Sequence, residues 1–164
     1  MRVEHTFEPI YDERSGILIL GTMPSVKSRE TGFYYGHPQN RFWKVVAAVT
    51  NQSEPYTISE KKKMLLSGGI AIWDVVSSCE IDGSSDNSIR NAVPNDIAGL
   101  LKKTNIRAVF ANGAKAAELY NRYCLKSGGE RRAEIIKLPS TSPANAAWSL
   151  DRLIIEWGKN ISQI

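Results

Sequence analysis

The sequence predicts an α/β fold: a three-layer sandwich with a central, mainly parallel four-stranded sheet flanked by helices on both faces. Three observations carry this expectation. Four short apolar runs, "GILILG", "GIAIWDVV", "IRAVFANG" and "AEIIKL", have the composition of strands buried on both sides. Stretches with helical periodicity or helix-end signals lie between them, so strands and helices alternate as in βα units. The length of 164 residues suits about four such units in one domain spanning residues 1–164.

The elements follow in order. Residues 16–21, "GILILG", form the first strand between glycines. Residues 40–50, "NRFWKVVAAVT", place apolar side chains around most of a helical wheel, so this helix is largely buried with Phe42 and Trp43 in the core. "SEKKKMLLSGG" reads as a second helix, with Ser59 as cap, Gly68 as stop and "EKKKM" as its wet face. The second strand spans residues 69–76, and Trp73 near its end either walls a pocket or fills core. Residues 79–91 are polar and Gly/Ser-rich and read as a long loop. "NDIAGLLKKT" is a helix, "IRAVFANG" the third strand, and "AKAAELYNRYCLKSGG" a helix closed by Gly-Gly. Residues 133–138 form the last strand. "PSTSPANAAW" then leads into a final helix ending near Trp157, with Ser142 as cap and Pro143 at its first position.

Composition narrows the function classes. Apolar residues make up 42% and charged residues 23%, a soluble globular balance. No run approaches the ~20 apolar residues of a membrane span, and the polar opening "MRVEHTFEPIYDERSG" lacks the apolar core of a secretory signal. A cytoplasmic protein without membrane contact is therefore expected; the sequence carries no oligomerisation signal, and a monomer is the default expectation. Cys79 and Cys124 are far apart and His5 and His37 are the only histidines, so no metal site and no cofactor are expected. The net charge of +4 and pI near 9.1 suit a polyanionic partner. Lys27, Arg29, Arg41 and Lys44 crowd one unusual stretch, and Arg131, Arg132 and Lys137 precede another.

In parallel sheets ligands bind beyond the carboxyl ends of the strands. That rule singles out "GTMPS", "WDVVSS", "ANGAK" and "PSTSP", and the stretch "TGFYYGHPQNRFWKV" that follows the first of them. None carries a P-loop, a dinucleotide fingerprint or a nucleophile elbow. Acidic residues are sparse, with Asp74 the main exception, which excludes metal-assisted hydrolysis. Aromatics, amides and hydroxyls remain. Tyr34 or Tyr35 can stack on a flat ring, and Asn40 and Asn112 can read its edge. The serines of "PSTSP" before a helix suit a phosphate. A flat heterocycle, a phosphate and a basic rim describe a nucleotide, including one lifted out of DNA.

The run "TGFYYGHPQNRFWKV" closely resembles the signature of the mismatch-specific branch of the uracil-DNA glycosylase superfamily, G-F-x-x-x-H-P-x-N-R-F-W-K. "GTMPS" sits at the place of the superfamily's first motif and "LPSTSPANA" at that of its second. Together "GHPQNRFW" and "LPSTSPAN" look most like the hypoxanthine-DNA glycosylases of that superfamily, from about Leu18 to Trp157. The resemblance implies a monofunctional glycosylase that releases a flipped deaminated base, hypoxanthine first, from double-stranded DNA. Single-stranded DNA as substrate, a mismatch-specific uracil/thymine-DNA glycosylase and a non-catalytic module that binds damaged DNA or a nucleotide are the alternatives. The resemblance also implies that Asn40 is the catalytic group and that Gly21, Met23 and Pro24 line the pocket floor. It further implies that Tyr35 stacks on the flipped base, with His37 and Asn112 also on the substrate side. Ser25, Lys27, Arg41, Ser140, Thr141 and Ser142 are the implied DNA contacts. Uracil-excising branches carry Asp or Asn at the third position of the first motif, to orient or activate water. Met23 can do neither, so the burden moves to Asn40, whose amide is expected to accept a hydrogen bond from the attacking water.

Two of these residues also have plain structural readings. Asn40 can cap the helix beginning at Arg41, and Asn112 can be a turn residue with positive φ before Gly113. His37 before Pro38 can simply fix its loop.

Overall fold

A computed structural model describes residues 1–5, 7–83, 85–124 and 134–162. Strand β2 (Ile17–Gly21) lies inside a four-stranded sheet, between β3 (Ile70–Asp74) and β6 (Ala108–Asn112), with β7 (Ile135–Leu138) outermost beside β6. All three pairings are parallel. Every residue of β2 is buried, and alternate side chains enter different cores. Ile17 and Ile19 pack with α2 (Phe42–Val49), α3 (Ile58–Ser67) and α6 (Leu150–Ile161). Leu18 and Leu20 pack with α4 (Ile97–Lys102) and α5 (Ala114–Tyr123). Helices therefore cover both sides of the sheet.

A second sheet was not anticipated. β1 (Arg2–Glu4), β4 (Val76–Glu80) and β5 (Arg90–Pro94) pair antiparallel in the order β1-β4-β5. Residues 79–91, expected as a loop, thus end β4, pass through a 3₁₀ turn (Asp86–Ser88) and begin β5. These strands are short and mostly polar because only Val3, Val76 and Cys79 point into the core. So few inward residues, spaced irregularly across a strand pair with register shifts, leave almost no apolar pattern to detect.

Helix ends bring three further differences. Thr57, not Ser59, caps α3, accepting the Glu60 N–H at 3.0 Å while Glu60 reaches back to the Tyr56 N–H. A short helix α1 (Val26–Thr31) follows β2, capped by Ser25 and closed by Gly32 in the left-handed region. Ser142 and Pro143 do not start α6; Ser149 caps it instead. Residues 142–148 form successive tight turns whose carbonyls are drawn to the Arg41 guanidinium rather than spent inside a helix. The expected Gly-Gly helix end, Arg131 and Arg132 lie outside the described residues. Among the described residues no helix is long and apolar enough to cross a membrane.

Candidate active site

Gly21 and Asp74 are register partners at the ends of β2 and β3, and Asn112 ends β6. All three line one cavity of about 310 Å³, so the carboxyl edge of the sheet is its floor. The loop after β2 adds Met23, Pro24 and Ser25. The aromatic stretch adds Tyr35, His37 and Asn40, and the segment after β7 adds Ser140, Thr141 and Ser142. Sequence separation is large, but the sheet topology collects these loops at one place.

The centre of this arrangement is a hydrogen-bonded chain whose proton positions are fixed by its ends. The Thr141 backbone N–H donates to Asn112 Oδ1 at 3.0 Å, which sets the orientation of the Asn112 amide. Asn112 Nδ2 must then donate to Thr141 Oγ1, at 2.9 Å. The Phe42 backbone N–H donates to Asn40 Oδ1 at 2.9 Å, which fixes that amide too. Thr141 Oγ1 has accepted once and so gives its own proton to Asn40 Oδ1, again at 2.9 Å. Asn40 Oδ1 thus receives two donors, and among the described residues Nδ2 has none to serve.

This overturns one expectation. With its carbonyl lone pairs committed, Asn40 has little left to accept a hydrogen bond from water. Asn40 lines the cavity, and its amide N–H groups are what it has left to offer there. Two donors on the carbonyl also polarise the amide and strengthen that N–H as a donor. The capping expectation holds in part: the helix N–H served is that of Phe42, while Arg41 occupies the cap position. The left-handed residue is Gly113 and not Asn112, which frees the asparagine side chain for the cavity. A β-carbon at Gly113 would also stand 3.1 Å from Ser140 Cβ.

Arg41, expected as a DNA contact, is engaged by the protein itself. Its Nε and both Nη groups donate to the carbonyls of Thr141, Trp148, Ser142 and Asn145. A guanidinium engaged in this way holds the 141–148 segment and has little left for a phosphate. Lys27 lies on the exposed side of α1 beside Glu30, outside the cavity lining. Ser140 and Ser142 line the cavity, and their hydroxyls accept the N–H groups of Ser142 and Ala144.

Tyr35 has φ 51°, an uncommon value for a non-glycine residue, and its ring stacks on Phe42 with centroids 3.9 Å apart. One ring face is therefore used by the protein. Its hydroxyl is buried without a hydrogen-bond partner. Burial, reinforced by Asp74 and partly offset by the Asn112 side chain, holds that hydroxyl well above the usual phenol range. Tyr34 is buried in the core with its hydroxyl donating to the Glu8 carbonyl at 2.8 Å, and it also lines the cavity beside Tyr35. His37 Nδ1 accepts the Gln39 N–H, the loop-fixing role, and the ring also borders the cavity.

Two acidic side chains to which the sequence reading gave no role also line the cavity. Asp74 is 4% exposed and its Oδ2 lies 2.7 Å from His5 Nε2. His5 Nδ1 accepts the Phe7 N–H, so Nε2 carries the proton and donates to Asp74. Asp86, on the 3₁₀ turn, sends its carboxyl inward to accept from Thr22 Oγ1 at 2.9 Å. Asp86 is exposed as a residue, but its inward-turned carboxyl loses water and is raised by that desolvation; Asp74 adds to the rise and the Thr22 hydrogen bond opposes it. Asp74 was legible as the lone acid at a strand end. Nothing in the sequence marks His5 or Asp86.

The profile of the "Uracil DNA glycosylase superfamily" matches residues 8–157. A protein from Methanosarcina acetivorans named "Hypoxanthine DNA glycosylase" is 34% identical over 152 residues, covering 92% of this chain and 93% of its own. A protein of the same name from Methanosarcina barkeri is 31% identical over 114 residues, covering 68% and 72%. A solution NMR structure from Methanosarcina acetivorans, provisionally assigned as a uracil DNA glycosylase, superposes with a TM-score of 0.80 at 34% identity, over 97% of this chain and 96% of that one. Matched along nearly its whole length in sequence and in backbone, the chain belongs to the uracil DNA glycosylase superfamily.

Proposed function

We propose that this protein is a monofunctional DNA glycosylase that removes hypoxanthine from DNA and leaves an abasic site. The observation that carries the proposal is the Asn112–Thr141–Asn40 chain, which delivers one strong amide donor into a base-sized cavity. The name borne by relatives 34% and 31% identical supports hypoxanthine as the base.

In this reading the nucleotide leaves the stack and its base enters the cavity. Water adds to C1′ of the deoxyribose as the C1′–N9 bond breaks, and the bonding electrons depart with the base. The proton lost by water balances the charge on the released hypoxanthine. The sugar passes through an oxocarbenium-like state, favoured by the DNA phosphates nearby. Asn40 Nδ2–H stabilises negative charge developing on the leaving base. Hypoxanthine leaves more readily than adenine, so a site without an ionisable group at Met23 suffices. Tyr35 offers its remaining face to the base, and the segment of Ser140 to Ser142 lies along the strand. The helices on both sheet faces support the three-layer reading of the domain. We read the protein as a cytoplasmic monomer acting on duplex DNA, consistent with its net charge of +4.

The test is alkali-revealed strand cleavage on labelled duplexes carrying one hypoxanthine, uracil or xanthine. Release of hypoxanthine by the wild type, abolished in Asn40→Ala with DNA binding kept within a few-fold, is the expected result. Near-normal cleavage by Asn40→Ala would make the residue structural and sink the assignment.

A further inference from the structure

Hydrolysis takes a proton from water, and the reaction just described names no group that receives it. Few groups of the cavity lining can. His37 Nδ1 accepts the Gln39 N–H, so the neutral ring carries its proton on Nε2 and can only donate there. The Asn40 carbonyl is taken by two donors, and amides and hydroxyls are not bases near neutral pH. Asp74 is 4% exposed at the sheet edge and paired through Oδ2 with His5 Nε2–H. Asp86 differs on each count. It is exposed as a residue yet lines the cavity, so its carboxyl stands between solvent and the pocket. Oδ1 accepts the Thr22 hydroxyl at 2.9 Å, which ties the 3₁₀ turn to the loop after β2 beside the non-ionisable Met23. Oδ2 accepts no hydrogen bond among the described residues.

Resting on the base-excision reading above, we propose that Asp86 Oδ2 is the general base of the reaction and takes the proton of the attacking water, with Thr22 holding the carboxylate in place. The water oxygen bonds to C1′ as the C1′–N9 bond breaks and its electron pair leaves with the base. One water proton passes to Oδ2, which makes Asp86 a neutral acid. That acid then gives the proton to the hypoxanthine anion, so the carboxylate is restored and the products are a neutral base and an abasic site. A carboxyl raised by desolvation and by Asp74 is a stronger base than an ordinary one and lies nearer the working pH. Thr22 is a positioning residue: its O–H fixes Oδ1 and leaves Oδ2 to face the water. The antiparallel sheet thereby contributes to the chemistry through the turn between β4 and β5.

The test is the pH profile of hypoxanthine release from duplex DNA at saturating enzyme in single turnover, which a merely structural carboxylate would not shape. Asp74 at the end of β3 raises the Asp86 carboxyl and Lys115 on α5 lowers it, while Tyr35 and Cys79 feel its charge. Wild-type release should rise with pH through a window above the ordinary carboxylate range and then level off. Asp86→Asn keeps an oxygen for Thr22 and loses the base. Its release should fall at least ~100-fold and lose the rise, with DNA binding kept within a few-fold. Thr22→Val deletes the hydrogen bond that favours the carboxylate, so its rise should move to higher pH. Asp86→Asn releasing hypoxanthine within a few-fold of wild type would overturn the proposal. A rise that persists in Asp86→Asn would assign the titration to another group, such as His37, and overturn it equally. Wild-type release that is flat or falls with pH would exclude a base there. Should Asp86→Asn fail to fold, the Thr22→Val profile decides, and an unmoved rise refutes the role of Asp86. A wild type that releases no hypoxanthine at any pH would instead refute the functional assignment itself, so the two failures are distinguishable.

Discussion

The hydroxyl of Thr141 donates to Oδ1 of Asn40 across 2.9 Å and joins two segments 101 positions apart in the chain. Thr141 is fully buried, and among the described residues its hydroxyl is the group that bonds both asparagines of the site. The direction of every proton in this chain follows from the two backbone N–H groups at its ends.

Replacing Thr141 by valine keeps the volume and deletes the hydroxyl. Asn112 Nδ2 then lacks an acceptor and Asn40 Oδ1 loses one of two donors. An unsatisfied buried amide costs ~1–3 kcal/mol, which chemical denaturation will read. Base release should fall with it, because the Asn40 amide is less polarised and less firmly aimed. Thr141→Ser keeps the hydroxyl and should recover both. A valine variant with normal release would mean that Asn40 is set by Phe42 alone.

Arg41→Lys separates a loop-holding role from a phosphate-binding one. Lysine is a point charge and cannot span the four carbonyls of residues 141, 142, 145 and 148 that the guanidinium collects. Loss of charge-assisted hydrogen bonds predicts destabilisation of ~1.5–3 kcal/mol. Since both residues carry one positive charge, the comparison that isolates phosphate contact is Arg41→Gln. Its salt slope for DNA binding should match the wild type. A slope reduced by about 1 would return Arg41 to the DNA surface.

The four parallel strands were legible because each is an apolar run of strand length, and they suffice to bring the right loops to one edge. Gly21, Asn40 and the serines of the cavity lining were legible from the three stretches that carry the resemblance, and Asn112 from its place at the end of the third strand. What escaped was held by side chains with no local pattern. His5 reaches Asp74 across 69 positions, and Asp86 reaches Thr22 across 64. The loop-holding role of Arg41 was invisible because its carbonyl partners lie about a hundred positions away. The polarity of Asn40 was invisible for the same reason: it depends on Thr141, from the far end of the chain.

Tyr35→Phe tests whether the unpartnered hydroxyl matters. The group is buried without a hydrogen bond, and its removal leaves the stack on Phe42 intact. Releasing an unsatisfied polar atom predicts stability equal to wild type or higher by up to ~1–3 kcal/mol. Base release should persist, since the ring face and not the hydroxyl meets the base. By contrast Tyr35→Ala removes the stacking surface and should weaken substrate binding by ~1–3 kcal/mol. Fluorescence anisotropy with a hypoxanthine duplex and an uncleaving Asn40→Ala background reads the difference.

Asp86 makes stability depend on pH in a definite direction. Its carboxyl is raised in the folded protein, first by burial and then by Asp74, so the native state binds the proton more tightly than the unfolded chain does. Between the unfolded and the folded pKa the native state holds more protons, and stability must fall as pH rises through that window. The penalty is absent below the ordinary carboxylate range and fully present above the raised value. Asp86→Asn keeps an oxygen for Thr22 Oγ1–H and removes the titration. Melting temperatures measured from acid to neutral pH should therefore converge at the acid end, with Asp86→Asn the more stable at neutrality. Parallel curves for the two proteins would show that the carboxyl is solvated and titrates like a free one.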